Sequence, residues 1–323
     1  MTQELLYPAK SAAQDANARH YLIYFITGNP GLIDYYEPFL SHLRSLLDET
    51  EKRSSAALHI YGRNLAGFDD ADHEPFTASS PPHDVDYQVK SRYEHLSSMR
   101  IPSGPRQGQP FDEVIVMGHS VGTYITLELF HRHLRDPSAA PHLNLKVGIL
   151  LFATISHIAK SPSGIFVSNL LRVPFLEAHA HQLAKGFLSL WPVWALTLFI
   201  RRVMGFPPHA VAATVRFLTS RDGVWQGIHM GKDEMNVISE DRWADELWEV
   251  ADEALAHKSE MPKFFFFFAK QDHWVANECR DEFIQKREEH ANRDAPATKR
   301  GRTRIVVDEG DLPHDFCIRE FHF

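Results

Sequence analysis

The stretch that most constrains this chain is residues 112–130, DEVIVMGHSVGTYITLELF. Residues 113–117 form a short apolar run rich in β-branched side chains, the pattern of a buried strand. Residues 123–130 suit a helix packed against it. Between them lies Gly118-His119-Ser120-Val121-Gly122. A strand that turns at once into a helix needs a sharp, strained bend, and glycines two residues either side of the serine let the backbone pass closely there. The Ser120 hydroxyl is then held above the sheet edge. The Val121 N–H opens the helix, where it can face a developing oxyanion. Five-residue matches of this kind arise by chance, so the flanking strand and helix, and partners elsewhere in the chain, carry the weight.

With 323 residues the chain can bury one large core or two modest ones. Its 44% hydrophobic and 24% charged residues are ordinary for a globular protein. A net charge of −8, with no dense Lys/Arg stripe, argues against a nucleic-acid surface. Cys279 and Cys317 are too few for a disulfide framework or a zinc site. Residues 1–17 lack the basic end and apolar run of a secretory signal, so a reducing, cytosolic compartment is expected. The 20 histidines are scattered, and neither His131-Arg132-His133 nor His179-Ala180-His181 has an H-E-x-x-H context. No metal site is expected.

Residues 21–27, YLIYFIT, read as a second buried strand running into Gly28-Asn29-Pro30-Gly31, a tight turn. A helix is expected over residues 34–47, with Tyr35, Phe39, Leu43 and Leu46 near one face. Residues 58–61 form a short strand, 63–82 a polar loop, 86–99 a helix, and 145–154, LKVGILLFAT, another buried strand. Strands alternating with helices imply a mostly parallel sheet covered on both faces. The order resembles an α/β-hydrolase arrangement. There the loop after the first of these strands supplies a second oxyanion N–H, for which Asn29 is the candidate because Pro30 has none.

Residues 156–260 break the rhythm and read as a helical cap inserted into a core made of residues 20–155 and 261–323. Residues 165–176 are strongly apolar. So are residues 186–200, GFLSLWPVWALTLFI, a run of fifteen that falls short of the about 20 needed to span a bilayer. Pro192 interrupts it, and Lys185, Arg201 and Arg202 flank it. Two readings fit: a segment lying in a lipid interface with its basic ends at headgroup level, or a buried cap helix. Trp191, Trp194, Leu196 and Phe199 are the candidate membrane contacts. Residues 239–257 suggest an acidic helix returning to the core through Trp243 and Leu247.

Five consecutive phenylalanines, 264–268, call for a central strand buried on both faces. Asp272 follows immediately, where an α/β sheet places functional carboxylates. Residues 278–290 read as a charged helix and 304–307 as the last strand. His314, in a loop after that strand, completes the order Ser, Asp, His. A serine hydroxyl is a poor nucleophile without a base. His314 is the candidate base, and Asp272 the residue that fixes its tautomer and stabilises its cation. Asp308, Asp311 and Asp241 are rival acids and His273 a rival base. This chemistry requires no metal or organic cofactor.

The segments ITGNPGLIDYYEPFL (26–40), GHSVGTYI (118–125), DHWV (272–275) and HDFCI (314–318) resemble the lipid-droplet-associated hydrolase family, and the similarity runs from Tyr21 to Phe323. The resemblance implies an α/β-hydrolase fold and cleavage of carboxylic esters, with neutral lipids or sterol esters as substrates. It also implies a Ser120–His314–Asp272 triad and residence on lipid droplets and the cytosolic face of the endoplasmic reticulum, against a phospholipid monolayer or membrane. Two positions depart from the family pattern. Thr27 stands where proline precedes GNPG, and Asp315 follows the histidine in place of a small residue. The rival expectation is a lipid-droplet scaffold that keeps the fold mainly for binding.

Overall fold

The structure, a computed structural model, describes residues 3–10, 15–240, 243, 247, 262–293, 303–310 and 312–319. The described residues form a seven-stranded sheet ordered β1-β3-β2-β4-β5-β6-β7. Its strands are β1 (Glu4–Tyr7), β2 (Arg19–Ile26), β3 (Ala56–Arg63), β4 (Glu113–His119), β5 (Leu145–Leu151), β6 (Lys263–Phe268) and β7 (Thr303–Val307). Every neighbouring pair is parallel except β1 with β3. The apolar runs of β2 and β4 occupy the middle of the sheet, where both faces are covered and alternation is not needed. β1 was not foreseen: its four residues carry no buried run, and it forms only by pairing along the edge of β3.

Helix α1 (Glu37–Glu51) follows a short 3-10 turn, Ile33–Tyr36, and lies against β3 and β1. α2 (Val85–Ser98) begins where the Asp84 carboxylate accepts the Tyr87 N–H at 2.7 Å. It packs beside α3 (Val121–Arg135), which crosses β4 and β5. In β6 the side-chain alternation decides burial. Phe264, Phe266 and Phe268 are buried, the first against Phe130 of α3 and the others against Phe283 of α9 (Asn277–Arg293). Phe265, on the opposite face, is 39% exposed. The strand is interior, paired on both sides, but burial on both faces is not what the five rings achieve.

Between β5 and β6 the chain forms five described helices: α4 (Pro162–Leu171), α5 (Pro174–Ser189), α6 (Val193–Arg202), α7 (Pro208–Thr219) and α8 (Gly223–Val237). The apolar run 186–200 is therefore not one segment. It breaks ahead of Pro192, which lacks the N–H a continuing helix needs, and α5 and α6 meet at a bend of 99°. Among the described residues no single helix is long and apolar enough to cross a membrane; α5 and α6 reach that composition only as a bent pair. Most of the acidic helix expected over 239–257 lies outside the described residues. Trp243 and Leu247 are buried, and the Trp243 indole N–H donates to Glu128 of α3 at 2.9 Å.

Candidate active site

The serine turn is as tight as its glycines require. A Cβ on Gly118 would sit 2.2 Å from the Gly122 carbonyl oxygen, and one on Gly122 would sit 2.4 Å from that of Ile26. Ser120 itself adopts φ 54° and ψ −127°, a conformation sparsely populated by residues with a side chain. β4 ends at His119 and α3 begins at Val121, so a single residue makes the whole change of direction. The strain holds the Ser120 hydroxyl at the carboxyl edge of the sheet.

Two strands further along that edge, the loops after β6 and β7 bring in the partners. His314 Nδ1 lies 2.8 Å from Asp272 Oδ2, and His314 Nε2 lies 2.8 Å from Ser120 Oγ. An ionised carboxylate only accepts, so Nδ1 carries the proton and Nε2 is left to accept from the serine hydroxyl. Asp272 Oδ1 accepts the Trp274 N–H at 2.8 Å. Burial pushes the Asp272 carboxyl up, but the hydrogen bond and charge of His314, with the Trp274 N–H, outweigh it and hold the group below its ordinary value. Asp272 and His314 are both buried. The Asp272 loop is braced by Arg280, whose guanidinium donates to the Ala269 and Lys270 carbonyls at 2.8 and 2.9 Å.

Of the described rivals, neither Asp308 nor His273 hydrogen-bonds to Ser120 or His314, although the His273 ring lies 5.9 Å from that of His314. Asp308 accepts the Leu312 N–H at 3.3 Å and so shapes the loop that carries His314. Asp241 and Asp311 lie outside the described residues. The His273 side chain is exposed, and its carbonyl accepts the Ser163 N–H of α4 at 2.9 Å, tying cap to core. Asp315 turns to Arg319 at 2.8 Å.

A second relay, unforeseen from the sequence, joins three loops of the site. The Gly28 N–H donates to the Tyr36 hydroxyl at 3.0 Å, and that hydroxyl is 2.8 Å from His119 Nδ1. His119 Nε2 is 2.9 Å from the His314 carbonyl, which only accepts. Nε2 therefore carries the proton and Nδ1 accepts from Tyr36. Burial holds the His119 imidazole down to about 3, so it stays neutral. The signal was present in the tyrosine pair after GNPG and the histidine before the serine, but nothing in the spacing said they meet.

The turn after β2 runs close over Ser120, where a Cβ on Gly28 would lie 3.0 Å from Ser120 Cβ. The Val121 N–H opens α3 and lies outside that helix's own bonding pattern. The Asn29 N–H has no protein acceptor among the described residues. Both are free to face one oxyanion. Thr27 is fully buried and its hydroxyl has no partner among the described residues; nothing in the structure explains it.

Ser120 and His314 open into a cavity of about 850 Å³ roofed by the inserted helices. Leu170, Leu183, Phe206, Phe217 and Met235 make its walls apolar, while Asn29 and Glu234 add polar atoms. The outer side of the same helices is also apolar: Phe166, Leu190 and Trp194 are 69%, 77% and 71% exposed. Of the residues expected to contact a membrane, Trp194 and Phe199 are exposed, and Trp191 is half-buried. Leu196 is not a surface residue. The helical period turns it with Ile200 onto Val211 of α7, where it forms the core of the cap.

A strained serine between strand and helix, with a histidine and an aspartate on later loops of the same edge, belongs to an α/β-hydrolase fold. Solved structures agree on the fold. A 2-hydroxy-6-oxo-6-phenylhexa-2,4-dienoate hydrolase from Rhodococcus matches with a TM-score of 0.51 at 14% identity, covering 94% of this chain and 86% of its own. A peroxisomal α/β-hydrolase of Saccharomyces cerevisiae also reaches 0.51, at 10% identity, covering 96% and 75%. Residues 19–317 match the family model described as lipid-droplet associated hydrolase, and the chain belongs to that family. It is 24% identical over 316 residues to the lipid droplet-associated hydrolase of Mus musculus, covering 94% of this chain and 82% of the relative. It is 30% identical over 155 residues to that of Homo sapiens, covering 46% and 42%. By family and fold the chain is a hydrolase.

Proposed function

We propose that this chain is a serine hydrolase that cleaves carboxylic esters of lipids, neutral lipids or sterol esters, at a droplet or membrane surface. The observation that carries the reading is the Ser120–His314–Asp272 hydrogen-bond chain, 2.8 Å at each link, on the floor of an apolar cavity. Ser120 Oγ attacks the ester carbonyl as its proton passes to His314 Nε2. The oxyanion faces the Val121 and Asn29 N–H groups, each donor contributing about 3 kcal/mol. The imidazolium then protonates the departing alkoxide and leaves an acyl-serine. Water, deprotonated by His314, attacks that ester and releases the acid and the free serine. Asp272 holds the imidazole in the required tautomer throughout.

The exposed apolar face of the inserted helices supports docking on a phospholipid monolayer, since each such side chain buried in acyl chains gains about 1.5–3 kcal/mol. Residence on lipid droplets and the cytosolic face of the endoplasmic reticulum is the matching location, supported for droplets by the names of the relatives. A fluorophosphonate probe tests the chemistry. Wild type should label and hydrolyse a p-nitrophenyl ester, and Ser120→Ala and His314→Ala should do neither while remaining folded. Asp272→Asn should retain a residue of activity on the order of 10⁻⁴ of wild type. An unlabelled wild-type protein would leave the scaffold reading in its place.

A further inference from the structure

Helix α8 presents Gly227, Gly231 and Glu234 on one face, at the i, i+4, i+7 spacing of the helix period. The Asn29 side chain lies against that face. Its Nδ2 donates to the Gly227 carbonyl at 3.0 Å and to Glu234 Oε1 at 2.9 Å. A Cβ on Gly227 would sit 3.4 Å from Asn29 Oδ1, and one on Gly231 would sit 3.6 Å from Nδ2, so the bare backbone at both positions lets the amide lie directly on the helix. The two glycines make a notch and the glutamate closes one end of it.

Glu234 is 6% exposed and no cation pairs with it among the described residues. Burial pushes its carboxyl up to about 8; the hydrogen bond from the Asn29 side-chain amide opposes the rise and Asp233 adds to it. The nearby charges are engaged elsewhere. Asp233 accepts the Val85 N–H of α2, and Lys232 reaches the Glu177 carbonyl of α5. His314 and Asp315 face the same cavity from the last loop. A leucine at this position would bury without desolvating an acid, so what the carboxyl adds is an acceptor for Asn29.

We propose that Glu234 is a positioning residue for the reaction: with the Gly227 carbonyl it seats the Asn29 side chain on α8, fixes the Asn29 N–H toward the oxyanion, and makes turnover depend on the seated cap. The proposal rests on the serine-hydrolase reading and deepens it. Asn29 bonds to α8 with its side chain and directly follows Gly28, which runs close over Ser120. Loss of the seat leaves Ser120, His314 and Asp272 in place and removes a donor that acts on the transition state.

The experiment uses the full chain and a soluble p-nitrophenyl ester, with kcat and KM measured separately and folding followed by circular dichroism. Glu234→Leu should lower kcat on the order of 100-fold, with KM within about twofold, as loss of one oxyanion donor does. Glu234→Gln keeps the acceptor and should restore kcat to within about threefold of wild type. Asn29→Ala, which also loses the Gly227 bond, should fall at least as far as Glu234→Leu, and the double variant should fall no further than Asn29→Ala, because both remove the Asn29–Glu234 contact. A wild-type kcat in Glu234→Leu, a Glu234→Gln as slow as Glu234→Leu, or additive losses would each overturn the proposal. Should Glu234→Leu fail to fold, Asn29→Ala decides, and unchanged kcat there overturns it. Activity surviving in Ser120→Ala would instead overturn the serine-hydrolase reading.

Discussion

Replacing Glu234 by glutamine is expected to stabilise the protein by an amount that grows with pH. The ordinary carboxyl value of 4.5 applies in the unfolded chain, and burial raises it to about 8 in the folded one. Between those values the unfolded state gives up a proton that the folded state keeps. The stability associated with Glu234 is therefore fully present below 4.5 and is lost as pH rises through 8. At 1.36 kcal/mol for each pH unit the loss is about 3 kcal/mol by pH 7 and about 5 kcal/mol once both states are ionised. Glutamine has the same shape, offers Asn29 the same acceptor and has no proton to lose. Urea unfolding of both proteins at pH 5, 7 and 8.5, with equal m-values as the check on two-state behaviour, gives the difference directly. Buried histidines do not disturb it. His59 and His119, held down to about 4 and about 3 by burial, destabilise the fold as pH falls, but they do so equally in both proteins. A stability difference that stays flat from pH 5 to 8.5 would refute the reasoning, because it would mean that Glu234 is ionised in the folded protein.

Docking and the second relay give two further tests. The variant Trp194→Asp/Leu198→Asp/Phe199→Asp changes exposed side chains only, so it should stop floating with phospholipid-coated triolein droplets while hydrolysing a soluble ester normally; continued flotation would move the docking surface elsewhere. Leu196→Asp, by contrast, places a charge in the cap core and should show as a lowered unfolding midpoint. His119→Phe strips the Tyr36 hydroxyl of its acceptor and the His314 carbonyl of its donor, both buried, at about 1–3 kcal/mol each. Urea unfolding should register that loss and kcat should fall with it; an unchanged midpoint would refute a stabilising role for the two hydrogen bonds.

What the sequence disclosed was whatever depends on neighbours along the chain. The strand ending at His119, the helix opening at Val121 and the glycines between them are a local constraint, and the strained φ of Ser120 is its direct result. Asp272 and His314 were legible because each lies in a loop after a strand, the partly buried β6 and the unburied edge strand β7, and a parallel sheet gathers strand ends at one edge. Local pattern failed where a face had to be chosen. Residues 186–200 carry no charge and are mostly apolar, and only the packing of α6 on α7 separates buried Leu196 from exposed Trp194. The five phenylalanines hid their alternation in the same way, since identical side chains carry no period.

Glu234 was beyond reach for a further reason. In the sequence it is one acid within the run Lys232-Asp233-Glu234, which reads as a solvated helix face. Its burial depends on a turn 205 residues away placing Asn29 against α8. The chain thus encodes its candidate nucleophile locally and its candidate oxyanion geometry globally. If Glu234 positions Asn29 as proposed, seating α8 and aligning the Asn29 N–H are linked, because the Asn29 side chain is bonded to α8. On that account cap variants far from Ser120 that loosen α8 should lower kcat before they weaken substrate binding. The outer face of α5 and α6, which does not touch Asn29, should affect only where the protein docks.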